Sequence, residues 1–179
     1  MKKLALSLLI IMASTIGAFA SYNKTAAVNY ALNYVYSHNS SYWYYPNANC
    51  TNFVSQALRA GGFSDDRYGS GDFRKWYKYS PSWQWALTLR ERFQYGGFRS
   101  VKVNYNDIVK GDIVFFAWPN SDRFTHAAIV TKVNFLQNCG NNQSCLEQEV
   151  FVTYNSTDRK NKSLFDMSFG TMMEYYRPR

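Results

Sequence analysis

Asn49-Cys50-Thr51-Asn52-Phe53-Val54-Ser55-Gln56-Ala57-Leu58-Arg59-Ala60-Gly61-Gly62 is the stretch on which the fold turns. Phe53, Val54, Ala57 and Leu58 recur at helical spacing, Gly61-Gly62 supplies a stop, and Asn49 is a good N-cap, so a helix is expected to start at about Cys50. The first turn of a helix carries unpaired N–H groups and the positive end of its dipole. A thiol there is eased toward the thiolate. Taken alone, Cys50 reads better as a small buried apolar residue than as a reactive thiol.

Working outward, Ala27, Tyr30, Ala31, Tyr34 and Val35 predict an amphipathic helix over Tyr22 to Tyr36, followed by an aromatic loop from Asn39 to Asn49. Phe73 to Tyr79 and Trp83 to Phe93 read as partly helical, closed by Gly96-Gly97. The second half changes to short β-branched or aromatic runs: Val101 to Tyr105, Ile113 to Trp118, Ala127 to Val133, Val150 to Tyr154 and Met172 to Tyr176. Helices first and strands afterwards imply an α+β fold, with an antiparallel sheet packed on N-terminal helices. His126 then opens a strand behind the polar loop Asn120-Ser121-Asp122-Arg123, where an imidazole can exchange protons or serve as a hydrogen-bonded structural histidine. His38, the other histidine, has no comparable setting.

Residues 1–20 read as a secretory signal: Lys2-Lys3, an apolar run from Leu4 to Ala13, and Ala18-Phe19-Ala20 as a cleavage site. Residues 21–179 are expected to form one soluble domain, exported to the periplasm or the extracellular space, and monomeric. Removing Lys2 and Lys3 takes the formal charge from +8 to +6, spread along the chain. The aromatics interleave with Asn and Ser more than with Lys or Arg, which argues against a nucleic-acid partner. Cys139 and Cys145 bracket Gly-Asn-Asn-Gln-Ser, a turn that can close as a disulfide worth about 2 kcal/mol in an oxidising compartment. Cys50 is left as the unpaired thiol. Neither a second close Cys pair nor a His pair at ligand spacing is present, so no metal or other cofactor is expected.

Four ordered blocks resemble the bacterial putative amidase domain family: Tyr22 to Tyr36; Asn49 to Gln56 with Ala60-Gly61-Gly62; Trp76 with Tyr79-Ser80-Pro81-Ser82-Trp83 and Leu89-Arg90; and Gly111 to Phe116 followed by His126 to Thr131. That family is similar to papain-like cell-wall cysteine peptidases and to cysteine, histidine-dependent amidohydrolases. The resemblance implies a papain-like fold, Cys50 as nucleophile, His126 as proton carrier, and a polar residue on the next strand that orients the imidazole. Asn155 stands there. Family members often carry a histidine at that position and an aspartate where Asn49 stands.

Asp112 reads as a turn and strand-start residue, and Asp158 as a solvated turn residue. For the oxyanion, the Cys50 N–H is the natural first donor and a Tyr44 or Tyr45 hydroxyl the second. The activity implied is hydrolysis of an amide bond in a peptide or peptidoglycan substrate. Acyl transfer by the same thiol, or a catalytically silent cell-wall-binding module, are the alternatives.

Overall fold

Ile113-Val-Phe-Phe-Ala117 is buried at every position, as a continuous apolar run between turns must be when both faces of its strand are covered. In the computed structural model, which describes residues 21–66, 75–137 and 146–179, this run is strand β2 (Ile113–Ala117), near the middle of a six-stranded sheet. The other strands are β1 (Ser100–Val103), β3 (His126–Gln137), β4 (Leu146–Tyr154), β5 (Arg159–Ser163) and β6 (Met172–Pro178). Their order is β1-β6-β2-β3-β4-β5, and every neighbouring pair is antiparallel.

Alternation along β2 divides the core in two. Ile113, Phe115 and Ala117 face a helical layer made of α1 (Lys24–Tyr34), α2 (Cys50–Ala60), α3 (Pro81–Gln84) and α4 (Ala86–Gln94). Val114 and Phe116 face a second cluster with Ile108, Ala128, Val130, Val152, Tyr154 and Leu164. The architecture is therefore α+β, as the order of sequence patterns implied.

Helix α2 is buried from Cys50 to Leu58, polar residues included, and Thr51, Asn52, Ser55 and Gln56 each make a side-chain polar contact. Trp76 Nε1 donates to Ser55 Oγ at 3.1 Å, Trp83 Nε1 to Asn52 Oδ1 at 2.6 Å, and the Tyr30 hydroxyl to Gln56 Oε1 at 2.7 Å. These bonds remove the cost of burying an amide or hydroxyl, and they let the helix sit at the centre of the molecule. Gly61 permits the close approach of the chain ends of α2 and α1, since a Cβ there would lie 2.4 Å from Tyr22 Cε2.

Two expectations are corrected, and one strand is added. Residues 75–79, expected to be partly helical, form a bend and turn with Tyr79 at φ +71°, because burial of the Trp76 ring takes precedence over local periodicity. Strand β5 was absent from the sequence reading: Arg-Lys-Asn-Lys-Ser is polar and lies at the sheet edge, where only one side needs pairing. Asn49 precedes α2 but its side chain does not cap the helix.

Candidate functional site

Cys50 enters the site because α2 begins there, and His126 because β3 begins there. Both line one cleft of about 550 Å³, together with Tyr45, Thr51, Trp85, Leu87, Trp118, Phe124, Thr125 and Ser156. Cys50 Sγ lies 3.7 Å from the Thr51 hydroxyl and 3.9 Å from the Thr125 carbonyl oxygen. Burial pushes the Cys50 thiol up, but the adjacent His126 imidazole, the Ala127 N–H and the Thr51 hydroxyl all favour the anion. The net effect lowers it from 9.0 to about 7.

The His126 ring is held by aromatic contacts. Tyr154 meets it edge-on at 4.6 Å between centroids, Phe116 lies at 5.4 Å and Trp118 at 5.7 Å. Its Nε2 is buried and has no hydrogen-bond partner among the described residues.

Asn155, expected to orient the imidazole, is engaged elsewhere. Its Oδ1 accepts from Asn49 Nδ2 at 2.8 Å, and its Nδ2 donates to the Val35 carbonyl at 2.8 Å and to Asp158 Oδ1 at 3.1 Å. Asn49 Oδ1 in turn accepts from Asn52 Nδ2 at 2.7 Å and from the Tyr45 N–H at 3.2 Å. The amide of Asn155 thus supports the approach to α2 from behind. Asp158, read as a solvated turn residue, also lies 3.5 Å from His38 Nε2.

Of the two tyrosines, Tyr45 lines the Cys50 cleft, whereas Tyr44 stacks on His38 at 3.8 Å and faces a separate small pocket. The Cys50 N–H donates to Ser156 Oγ at 3.1 Å, as does the Asn49 N–H at 2.9 Å. The expected first oxyanion donor is therefore already paired, and the cap missing from Asn49 comes from a residue 106 positions beyond Cys50. Ser156 escaped the sequence reading because nothing in Asn155-Ser156-Thr157-Asp158 separates it from an ordinary turn serine. Trp85 and Trp118 were equally indistinct among so many aromatics.

Asp112 is structural, as its position before an apolar run suggested. It is buried, accepts from the Val109 N–H at 2.9 Å, and forms a two-pronged pair with Arg177 at 3.1 and 3.0 Å. Cys139 and Cys145 lie outside the described residues. Among the described residues no cluster of three His, Cys, Asp or Glu side chains is placed to hold a metal.

Fold and site define an α+β domain in which a thiol at the head of a buried helix shares a cleft with an imidazole at the start of a sheet strand. The chain belongs to the family described as "Putative amidase domain", whose profile matches residues 21–176. It is 31% identical over 150 residues to the uncharacterized protein YjcM of Bacillus subtilis (strain 168), covering 78% of this chain and 32% of that one. It is 32% identical over 120 residues to the uncharacterized protein YhbB of the same strain, covering 64% of this chain and 38% of the relative. The alignments span about a third of the length of these relatives. No solved structure matches the chain significantly.

Proposed function

We propose that this domain is a cysteine-dependent amide hydrolase of papain-like kind, exported and acting on peptide bonds of the peptidoglycan. The observation that carries the reading is Cys50, whose thiol sits at a helix head beside His126 and is lowered to about 7. Near neutral pH a large fraction is thiolate, the form that attacks a carbonyl. His126, in the same cleft, is the group that gives a proton to the departing nitrogen and takes one from the incoming water. Family membership supports the choice of an amide as the bond broken.

The cleft narrows the substrate further. Among the described residues none of those that line it is Lys, Arg, Asp or Glu, and Trp85, Leu87, Trp118 and Phe124 form much of its wall. Such a surface suits an uncharged segment on either side of the scissile amide. Ionic groups there would lose hydration without gaining a partner. The signal-like residues 1–20 support export, and export in turn supports a polymer of the envelope as target.

The test is incubation of the domain with purified peptidoglycan, followed by mass spectrometry of the released fragments, with Cys50→Ser alongside. Hydrolysis yields new amino groups in the wild type alone. New cross-links instead would reassign the thiol to acyl transfer, and retention of the protein on the polymer without any product would make the domain a binding module.

A further inference from the structure

A hydroxyl oxygen has two lone pairs and one proton. At Ser156 the oxygen accepts from two backbone N–H groups, those of Asn49 at 2.9 Å and Cys50 at 3.1 Å. Its proton is thereby left for a group outside that pair. Ser156 holds φ +94°, a conformation strained for any residue but glycine, and one that persists only where the surroundings fix it. The residue lines the cleft with Cys50 and His126. His126 lines the same cleft, so the hydroxyl shares a wall with both residues of the thiol–imidazole pair. The Ser156 hydroxyl, half-buried on the cleft wall, therefore has a proton to which a bound molecule can hydrogen-bond.

We propose that Ser156 is a further catalytic residue: its hydroxyl, polarised by two backbone N–H groups, donates to the oxygen of the scissile carbonyl as that oxygen becomes negative. The assignment rests on the Cys50–His126 reading and gives it an oxyanion donor in place of the Cys50 N–H, which is already paired, beside the Tyr45 hydroxyl on the same cleft. In the attack, a sulfur lone pair forms the S–C bond and the carbonyl π pair moves onto oxygen. Ser156 hydrogen-bonds that oxygen and keeps its proton. On collapse the C=O bond re-forms, the C–N bond breaks, and the nitrogen leaves with a proton from His126. Water then attacks the thioester, yielding a proton to His126, and the acid departs as the S–C bond breaks.

The role separates from a merely structural one because alkylation of a thiolate builds no oxyanion, whereas acyl transfer does. Ser156→Ala removes the hydroxyl, and Ser156→Gly removes it while relieving the backbone at φ +94°, and circular dichroism selects the variant that keeps the fold. Each is assayed for Cys50 alkylation by iodoacetamide and for p-nitrophenolate release from p-nitrophenyl acetate. Alkylation is expected to stay within about two-fold of wild type, because the groups that favour the thiolate are His126, the Ala127 N–H and the Thr51 hydroxyl, and not Ser156. The kcat for p-nitrophenolate release is expected to fall about 100-fold with little change in KM. Release that is unchanged or faster in both variants would overturn the assignment, since the hydroxyl would then only occupy a site that the bare N–H groups serve. A parallel fall of alkylation and release would overturn it too, making Ser156 a cap for α2. A wild type that alkylates rapidly yet releases no p-nitrophenolate would sink the hydrolase reading, and the Ser156 role with it.

Discussion

Asn49 Nδ2 donates to Asn155 Oδ1 at 2.8 Å, joining the residue before the candidate nucleophile to the residue after strand β4. These are the two positions at which the chain departs from the pattern it resembles, where aspartate and histidine are frequent. The departures touch. A pair that would be ionisable is here two neutral amides, and the contact survives because an amide supplies both a donor and an acceptor.

Asn155→Ala should therefore act mainly on stability. It strips partners from Asn49 Nδ2 and from the buried Val35 carbonyl, for a loss of about 1–3 kcal/mol in urea unfolding. Cys50 alkylation should slow by less than about ten-fold, since no hydrogen bond described for Asn155 reaches His126. A fully stable variant with an unreactive Cys50 would restore an orienting role.

Alkylation of Cys50 should rise with pH through about 7 and level off above it. At pH 5 the rate should be about 100-fold below the plateau, as the thiolate fraction requires. His126→Ala removes the main stabiliser of the anion while burial still opposes it, so the midpoint should move up. Because the folded thiol titrates below its ordinary value of 9.0, its contribution to stability is present above that value and is lost as pH falls through about 7. Denaturation midpoints of wild type and Cys50→Ser, compared at pH 9.5 and pH 6, check the sign.

Cys50→Ser and His126→Ala should each lower amide hydrolysis by on the order of 1,000-fold or more, while the fold persists. Thermal melts run beside the rates separate lost chemistry from lost structure. Substantial turnover by well-folded His126→Ala would end the thiol–imidazole account.

Glu174 ties the helical layer to the sheet edge. Arg90 donates to both its oxygens, at 2.6 and 2.8 Å, with Lys102 at 2.9 Å and the Tyr176 hydroxyl at 2.9 Å. Burial pushes this carboxyl up, yet these donors outweigh it and hold it near 2 instead of 4.5. The folded value is depressed, so the stabilisation is present above about 4.5 and disappears as pH falls toward 2. Glu174→Gln should cost about 1–3 kcal/mol at pH 7, and the difference from wild type should shrink in acid. The guanidinium of Arg90 also lies 4.5 Å over the Phe124 ring, so the same variant should loosen one wall of the Cys50 cleft and raise KM.

Local chemistry was enough to place the elements that carry the site. The spacing of Phe53, Val54, Ala57 and Leu58 set α2 with Cys50 at its head, as found. The apolar run after Gly111-Asp112 marked β2, and the run after His126 marked β3, because periodicity and turn residues act within a few positions. The α+β class followed from the order of those patterns. Polar β5 stayed hidden, since an edge strand is stabilised by its neighbour and not by its own side chains.

What only the tertiary structure decided is which polar groups meet. Ser156 reaches the Asn49 and Cys50 amides, and Asn155 turns to Asn49 rather than to His126, through bonds that span more than a hundred residues. A hydrogen bond of that range leaves no periodic trace: both partners are ordinary turn or cap residues until sheet pairing brings β4 beside β3 and sets its end against the head of α2. The sequence by itself therefore determined a thiol at a helix head and an imidazole at a strand start. Packing decided that they share a cleft, that the Ser156 hydroxyl lines it with them, and that aromatic and other uncharged side chains form its wall among the described residues.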